Sequence, residues 1–176
     1  MRDGGTRPPV LFSERLIRSR IAAIADEMSR ASPAPDLALP ILIGGFVFAA
    51  DLLRALDERG LSLEVEFLRL RSYADARVPQ SDIQVLTGPG ENVRGRHVLL
   101  IDGVLDRGRT LQVARELAFQ AGARTVTSAV VIDKRRDDSL LRSDFSAFKD
   151  VPNFVAGYGM DNCGTLRSLP YITAAD

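Results

Sequence analysis

The sequence is poor in the residues that build disulfides and zinc sites. Its 176 residues include one cysteine, Cys163, and one histidine, His97. A single cysteine cannot form an internal disulfide, and these two residues cannot supply the four ligands of a structural zinc site. We therefore expect neither kind of cross-link, and we interpret Cys163 as a small buried side chain and His97 as the start of a strand.

Long apolar runs are also missing. No stretch of 18 or more uncharged apolar residues occurs, so the sequence predicts no membrane-spanning helix. The first residues, which include Arg2 and Asp3, lack the apolar stretch of a signal peptide. We therefore expect a cytoplasmic protein without a membrane partner.

Neither sign of charge is in excess. The chain has 23 Lys and Arg residues against 23 Asp and Glu residues. A broad surface for nucleic acid needs an excess of positive charge, so we expect no nucleic-acid partner. Only Lys134 and Lys149 are lysines, and a lysine at a functional position is therefore easy to notice.

The length and an apolar fraction of 45% predict a single domain over residues 1–176. We expect residues 1–12 to form a flexible N-terminal tail. Ser13 has the chemistry of a helix N-cap, and the apolar stripe that follows it predicts a helix to Met28, which ends before the breaker cluster 32–35.

Strands and helices alternate along the rest of the chain. The predicted strands are 37–43, 62–67, 98–101 and 126–132, the predicted helices are 46–60 and 111–121, and the stretch 72–95 is predicted as an exposed loop with a short hairpin at 83–87. This alternation predicts an α/β fold, a doubly wound and mainly parallel twisted sheet flanked by helices. Ligands of such folds bind at the carboxyl ends of the strands.

The segment 99–110, which reads LLIDGVLDRGRT, follows one of these strand ends. A loop between a buried strand and a helix presents backbone N–H groups to an anion, and Gly108 permits a close approach of phosphate. Asp102 and Asp106 add two carboxylates, and Thr110 adds a hydroxyl. The alternative is structural: Asp106 caps the next helix and Gly108 only turns the chain.

This segment resembles the phosphoribosyl-pyrophosphate loop of the type I phosphoribosyltransferases. In that loop a strand ends in two acids, and two apolar residues precede Asp, Thr or Ser, and Gly. Four further segments resemble the purine members of the family, the hypoxanthine-guanine phosphoribosyltransferases, in the same order: PILIGGFVFAADLL at 40–53, VEFLRLRSY at 65–73, VVIDKR at 130–135 and FVAGYGMDNCGTLRSL at 154–169. The resemblance covers about residues 13–172 and implies a small hood built from the terminal segments.

The resemblance implies a reaction. Such an enzyme transfers the ribosyl phosphate of phosphoribosyl pyrophosphate to a 6-oxopurine, hypoxanthine or guanine, in purine salvage. Pyrophosphate and a nucleoside monophosphate are the products, Mg²⁺ is the cofactor, and a homodimer or homotetramer is implied. One alternative is a nucleotide-sensing or regulatory homologue of the same fold; another, a regulator that binds RNA, fits poorly with the neutral charge balance.

The resemblance also implies roles for single residues. Asp106 would be the catalytic general base at the imidazole edge of the purine. The ribose and its 5-phosphate would be bound by Asp102, Asp106, Arg107, Gly108, Arg109 and Thr110. Pyrophosphate would be bound by the backbone of Ile43 and Gly44, by a lid at Ser72 and Tyr73, and by Arg167. The purine would contact Lys134, Phe154 and Val155, and Mg²⁺ would contact Asp102 and Asp161.

Structural alternatives accompany these roles. Ser72 and Tyr73 would otherwise be an ordinary surface loop, and Lys134 a solvated charge at a strand end. Phe154 and Val155 would otherwise be plain core residues.

The chain departs from the family pattern at three positions. Gly103 stands where the second acid of the pair is usual, which removes a ribose-hydroxyl acceptor and favours the regulatory alternative. Arg107 stands where Thr or Ser is usual, and it either replaces the hydroxyl donor or binds a differently phosphorylated ligand. Ile43 stands where family members often carry Lys, so backbone contacts must suffice there.

Overall fold

The computed structural model describes residues 8–72 and 83–175. Three helices lie in these ranges: α1 (Glu14–Met28), α2 (Phe46–Asp57) and α3 (Arg109–Gln120). The strands are β1 (Val10–Phe12), β2 (Leu37–Leu42), β3 (Glu64–Val65), β4 (Leu68–Ser72), β5 (Ile83–Thr87), β6 (His97–Leu105), β7 (Thr125–Asp133), β8 (Phe145–Lys149), β9 (Val155–Ala156) and β10 (Ile172–Ala174). A short 3-10 helix covers Glu91–Val93.

The larger sheet has the strand order β5-β4-β2-β6-β7-β8, and β3 also pairs with β2. All of its pairs are parallel except β4 with β5. The carboxyl ends of β2, β6 and β7 therefore lie at one edge of the sheet, where ligands of such folds collect.

Helices cover both faces of this sheet. Leu99 and Ile101 of β6 pack in one core cluster with α1 and α2, whereas Val98 and Leu100 pack in a second cluster with α3. Successive side chains of a strand point to opposite faces, so a continuous apolar strand serves both clusters. The predicted doubly wound fold is confirmed.

The terminal segments form a second, antiparallel sheet with the order β1-β10-β9. Residues 10–12 are therefore a strand rather than part of the predicted tail, because their backbone pairs with β10 and the Phe12 ring stacks on Phe148 with a centroid distance of 3.9 Å. This small sheet is the hood that the resemblance implied, and it carries Val155 to the carboxyl edge of the larger sheet.

Helix α1 begins as predicted. The Ser13 hydroxyl accepts a hydrogen bond from the Leu16 amide at 3.3 Å, which satisfies one of the unpaired amides of the first turn.

Three sequence-based boundaries are wrong. Of the strand predicted at 62–67 only the two residues of β3 form a strand, and the longer strand of this region is β4, because Leu68 and Leu70 are the buried residues there. The segment 83–87 is a single strand that pairs with β4 rather than a hairpin. Strand β6 extends through Asp102 to Leu105, where the sequence predicted a loop, because its pairing with β7 continues to that point.

Among the described residues, no helix is long and apolar enough to cross a membrane.

Candidate functional site

A cavity of about 330 Å³ opens at the carboxyl ends of β2, β6 and β7. Most of the residues that the sequence assigns to the site line it together. They are Ile43, Gly44, Asp102, Asp106, Thr110, Lys134, Phe154, Val155, Asp161 and Arg167. Ser72 ends β4, and Tyr73 lies outside the described residues, so the predicted lid stays a prediction.

The loop between β6 and α3 has the form of an anion site. Gly108 adopts a left-handed conformation with φ of 80° immediately before the helix, and a Cβ there would lie 3.3 Å from a side-chain carbon of Leu141. The Gln112 amide donates to the Gly108 carbonyl at 2.8 Å. The amides of Thr110 and Leu111 have no carbonyl one turn earlier within the helix, and they lie at the positive end of its dipole, which favours an anion.

The loop after β7 hydrogen-bonds to the backbone of the loop between β6 and α3 (residues 106–108), which we call the anion loop. The Ser139 hydroxyl donates to the Asp106 carbonyl at 2.7 Å, and the Leu140 amide donates to the Arg107 carbonyl at 3.0 Å. The Lys134 amide donates to the Leu105 carbonyl at 2.9 Å. These bonds hold the backbone in place while the Asp106 side chain stays available to the cavity. The alternative of Asp106 as a helix cap is excluded, because Gly108 is the N-cap.

Asp106 lies between two cations. Its Oδ2 is 3.5 Å from the Lys134 ammonium and its Oδ1 is 3.3 Å from the Arg136 Nε. Oδ1 is buried and accepts no hydrogen bond of good geometry. The Asp106 side chain as a whole is 48% exposed and lines the cavity, so its carboxylate has acceptor capacity left for a donor there.

Lys134 is not the solvated charge of the structural alternative. Its side chain is 9% exposed. A buried ammonium needs a carboxylate or an acceptor nearby, and Asp106 and the cavity offer both.

Arg136 is a site residue that sequence reasoning missed. It pairs with Asp106 and with Asp138, each at 3.3 Å. The signal in the sequence is the run of three basic residues that begins at Lys134, of which only the first was assigned a role.

Arg107 turns away from the larger cavity and pairs with Asp138 at 3.2 Å. It lines a smaller cavity of about 160 Å³ with Gly108, Arg109 and Thr110. This cavity lies at the start of α3, so the predicted phosphate-binding residues are together, and Arg107 contributes charge from its rim.

Asp102 lies at the base of the larger cavity. Its Oδ1 accepts a hydrogen bond from the Gly103 amide at 2.7 Å. Burial raises the pKa of Asp102 to about 7, and the Gly103 bond opposes this effect in part. The raised pKa means that burial outweighs the groups that stabilise the charged carboxylate, and a bound cation or hydrogen bonds from ribose hydroxyls can add such stabilisation.

Gly103 stands where backbone from another loop comes close. A Cβ on Gly103 would lie 2.9 Å from the Gly44 carbonyl oxygen and 3.1 Å from the Met160 side chain. A Cβ on Gly159 would also lie 2.9 Å from the Gly44 oxygen. The glycine at position 103 therefore does more than remove a carboxylate, since it lets the loop after β2 pack against β6.

The loop after β2 offers backbone to the cavity. The peptide bond between Leu42 and Ile43 is cis. The Gly45 amide donates to the Ile41 carbonyl at 3.1 Å, whereas the amides of Ile43 and Gly44 make no backbone bond within the described ranges. Free amides beside a cavity suit an anion, as predicted for this loop.

Asp161 and Arg167 form an ion pair with each other. The Arg167 Nη2 lies 2.5 Å from the Asp161 Oδ1, and its Nη1 donates to the Gly159 carbonyl at 2.7 Å. The other Asp161 oxygen accepts a bond from the Gly164 amide at 2.8 Å. The pair thus places one cation and one carboxylate at the edge of the cavity.

Two predicted purine contacts differ in exposure. Phe154 is 51% exposed at the wall of the cavity, which excludes the core alternative for this ring. Val155 is buried in β9, but it also forms part of the cavity lining. An exposed aromatic ring beside Lys134 offers a surface on which a flat base can stack.

His97 and Cys163 do not line the larger cavity. His97 begins β6, as predicted, and its Nδ1 lies 2.8 Å from the Thr125 hydroxyl. The prediction for Cys163 is wrong, because this residue is exposed with φ of 48° in the turn between Asn162 and Thr165.

No group of three or more His, Cys, Asp or Glu side chains that could hold a metal occurs in the described part of the chain. Mg²⁺ usually takes one or two carboxylates together with water and substrate phosphates. Asp102 and Asp161 line one cavity and supply that donor set. The residues present therefore fit Mg²⁺ in the company of a phosphorylated ligand.

The doubly wound sheet, the anion loop and the carboxylates are typical of proteins that bind a phosphorylated ligand at their strand ends. Comparison with known proteins makes the class specific. The model of the phosphoribosyl transferase domain family matches residues 11–162. The chain therefore belongs to the phosphoribosyltransferase family, as the sequence motifs indicated.

Individual relatives agree along most of the chain. The hypoxanthine-guanine phosphoribosyltransferase of Bacillus subtilis (strain 168) is 31% identical over 167 residues, which cover 93% of this chain and 90% of the relative. The hypoxanthine phosphoribosyltransferase of Escherichia coli (strain K12) is 30% identical, and the match covers 93% and 92%. The solved structure of the Trypanosoma cruzi hypoxanthine phosphoribosyltransferase with its product IMP has a TM-score of 0.84 at 27% identity, over 95% of this chain and 93% of that chain.

The raised pKa of Asp102 predicts how pH changes stability. The Asp102 carboxyl has a pKa of about 7 in the native protein and 3.8 in the unfolded chain, so the native carboxyl keeps its proton to a higher pH. The unfolded chain therefore loses this proton first, and the free energy of unfolding falls as the pH rises from about 4 to 7. We expect Asp102→Asn to unfold like the unsubstituted protein at pH 4 and to be more stable at pH 8, by on the order of 2–4 kcal/mol. Urea unfolding of both proteins in EDTA measures this, and a stability difference that stays constant with pH would contradict it.

The packing of Gly103 predicts that side chains at this position harm the loop after β2. We expect Gly103→Ala and Gly103→Glu to destabilise the protein by about 1–3 kcal/mol, because the Cβ meets the Gly44 carbonyl oxygen. Gly88→Ala is the matched control, since no atom lies within 4 Å of its added Cβ. A Gly103→Glu protein as stable as the control variant would show that the loop tolerates an acid there.

Proposed function

We propose that this chain is a purine phosphoribosyltransferase that transfers the 5-phosphoribosyl group of phosphoribosyl pyrophosphate to a 6-oxopurine in purine salvage. The observation that carries the proposal is the pair formed by Asp106 and the nearly buried Lys134, beside an exposed Phe154 ring and next to an anion loop. A base, an oxygen-binding cation, a stacking surface and a phosphate site thus share one cavity.

The phosphorylated donor is held at three points. The amides at the start of α3 and the Thr110 hydroxyl bind the 5-phosphate, with Arg107 at the rim of the smaller cavity. Asp102 accepts hydrogen bonds from the ribose hydroxyls. The amides of Ile43 and Gly44 and the guanidinium of Arg167 bind the pyrophosphate group.

The purine lies against the Phe154 ring. Lys134 donates to the exocyclic oxygen of the base, and the backbone of Val155 meets its pairing edge. The imidazole edge then faces Asp106, because its carboxylate lies 3.5 Å from the Lys134 ammonium. A ligand N–H at this edge would donate to the exposed side of the Asp106 carboxylate.

The reaction needs the purine and the donor to be positioned and the leaving group to be neutralised. The bond between the ribose anomeric carbon and the pyrophosphate oxygen breaks, and the electron pair leaves with pyrophosphate. A purine nitrogen forms the new bond to that carbon, and the proton of the imidazole ring passes to Asp106. Positioning of both substrates by the loops, rather than covalent catalysis, supplies the rate.

Mg²⁺ would be held by Asp102 and Asp161 together with donor oxygens, and when bound it neutralises negative charge on the donor. The position of both carboxylates in one cavity supports this assignment. Asp161 must share its Arg167 partner with the pyrophosphate group in that state. A homodimer or homotetramer and a cytoplasmic location remain predictions from the sequence.

A direct assay tests the function. Purified protein is incubated with phosphoribosyl pyrophosphate, Mg²⁺ and hypoxanthine, guanine, xanthine or adenine, and nucleotide formation is followed by absorbance. We expect turnover with hypoxanthine or guanine. Binding of nucleoside monophosphates without turnover of any base would instead support the nucleotide-sensing alternative.

The role of Asp106 predicts the behaviour of Asp106→Asn. Removal of the proton acceptor lowers kcat by about 100-fold or more, the usual contribution of a general base. Affinity for the nucleoside monophosphate stays within a few-fold, because phosphate and stacking contacts remain. Steady-state kinetics and calorimetry measure the two quantities.

Asp138→Asn is the matched control for this change. Asp138 pairs with Arg107 and Arg136 on the same side of the site, but it does not line the larger cavity. Its variant should keep most of the activity. Equal losses in the two variants would indicate a general charge effect and refute the role of Asp106.

The role of Lys134 predicts a change of base preference. We expect Lys134→Met to lower kcat/KM for hypoxanthine by about 10- to 100-fold, as expected for loss of a charged hydrogen bond. The rate with adenine, which carries an amino group at that position, falls less. The exposed Lys149 provides the control, Lys149→Met. An unchanged ratio of the two substrates in Lys134→Met would contradict the role.

A further inference from the structure

A tyrosine that follows β9 makes a hydrogen bond to α2 that the proposed reaction does not use. The Tyr158 hydroxyl donates to the Asp51 Oδ2 at 2.6 Å, across 107 residues of sequence. The Tyr158 ring is 5% exposed and belongs to the core cluster that contains residues of α1 and α2. Burial raises the pKa of the Tyr158 hydroxyl, and the bond to Asp51 raises it further, so this group stays a donor at neutral pH.

Asp51 accepts this bond from within α2, the helix that follows the loop after β2. Its other oxygen, Oδ1, pairs with the exposed Arg54 one turn later, at 2.6 Å. A carboxylate can accept both contacts, and a hydrogen bond to an ionised acceptor is stronger than one between neutral groups. The bond therefore joins the segment after β9 to the helix that begins just beyond Ile43 and Gly44.

The backbone around Tyr158 adopts a conformation that few side chains accept. Gly157, Tyr158 and Gly159 have φ of 92°, 51° and 91°. A bulky residue keeps a positive φ only where its surroundings hold it there. The Tyr158 amide donates to the Leu169 carbonyl and the Gly159 amide to the Arg167 carbonyl, each at 2.9 Å. The position of Tyr158 is thus passed directly to the backbone of Arg167.

The loop 157–169 carries two groups of the site. Asp161 and Arg167 both lie in it and line the larger cavity. The Arg167 Nη1 donates to the Gly159 carbonyl, and a Cβ on Gly159 would lie 2.9 Å from the Gly44 carbonyl oxygen. The loop 157–169 therefore runs directly against the loop after β2.

Side-chain packing holds this loop incompletely. Tyr158 and Asp51 line a cavity of about 730 Å³ that Arg167 also lines. Close-packed interiors fix their groups by contact, whereas open space leaves room for a shift. The hydrogen bond beside this cavity therefore contributes more to the position of the loop than it would in a filled core.

We propose that Tyr158 is a positioning residue, whose bond to Asp51 holds the loop 157–169 against α2 and thereby sets the distance from Arg167 and Asp161 to the loop after β2. This proposal rests on the proposed function, in which those groups bind pyrophosphate and Mg²⁺. Tyr158 itself contacts no substrate, and it acts through the loop that it anchors.

The purine contacts do not depend on this bond. Phe154 and Val155 precede Gly157, and Val155 pairs with Ala174 of β10. The Ala175 amide also donates to the Phe154 carbonyl at 2.9 Å. The hood sheet holds both residues in place, so loss of the Tyr158 bond should weaken pyrophosphate binding and leave purine binding unchanged.

The variant Tyr158→Phe tests the proposal, because it removes the hydroxyl and keeps the buried ring. We expect the Kd for Mg²⁺-pyrophosphate and the KM for phosphoribosyl pyrophosphate to rise by about tenfold, the range of one hydrogen bond to a charged group. The KM for hypoxanthine stays unchanged. Calorimetry and steady-state kinetics measure these constants.

Tyr171→Phe is the matched control. Tyr171 is a buried tyrosine next to β10, and its hydroxyl donates to the Pro8 carbonyl at 3.4 Å rather than to α2. The same chemical change there should alter none of the three constants.

Variants of the acceptor test the same bond from α2. Asp51→Asn keeps an oxygen that accepts from Tyr158 and should retain most of the pyrophosphate affinity, whereas Asp51→Ala should lose as much as Tyr158→Phe. The double variant with both Tyr158→Phe and Asp51→Ala should lose no more than either single one, because all three remove one bond. Arg54→Gln breaks the other contact of Asp51 and should have no effect on pyrophosphate affinity.

Four results would overturn the proposal: unchanged pyrophosphate affinity in Tyr158→Phe, an equal loss in Tyr171→Phe, an equal rise in the KM for hypoxanthine, or losses that add in the double variant. Asp51→Ala removes the bond from a side chain that is 37% exposed, so the test holds even where Tyr158→Phe folds poorly. Failure of the proposed function gives a different result, because the unsubstituted protein would then turn over no purine while calorimetry with Mg²⁺-pyrophosphate still decides the role of Tyr158.

Discussion

The site depends on the register between two parallel strands. Leu105 of β6 pairs with Asp133 of β7, so the residues that follow them, Asp106 and Lys134, leave the sheet side by side. Their charged groups meet at 3.5 Å. One strand pairing thus brings together a carboxylate and an ammonium group that are far apart in sequence, and these are the groups that we propose as proton acceptor and oxygen-binding cation.

The neutral total charge conceals a site that needs both signs. In the proposed reaction, carboxylates would serve the ribose, the proton and the metal, while cations would serve phosphate and the base oxygen. Several of these groups pair with one another, as Asp161 does with Arg167. Such pairs compensate partly buried charges. Asp102 is the exception, since burial raises its pKa to about 7.

Much of the fold and the site could be predicted from the sequence, because apolar periodicity and glycine turns are local signals. Features that depend on pairing between distant segments of the chain could not be predicted in this way. The alternation at 62–67 marks only the short β3, whereas the longer strand of this region is β4, where Leu68 and Leu70 are buried. The polar residues after Ile101 concealed the last part of β6. Strand β8 carries no strong local signal. Arg136 was missed because only the fold brings it to Asp106.

One base is expected to contact Asp106 and Lys134 together, and the proposed reaction depends on that arrangement. A crystal structure with a 6-oxopurine nucleoside monophosphate tests it most directly. We predict the imidazole edge within about 3.2 Å of the Asp106 carboxylate and the exocyclic oxygen equally close to the Lys134 ammonium. A base bound elsewhere, or one whose imidazole edge points away from Asp106, would contradict this arrangement.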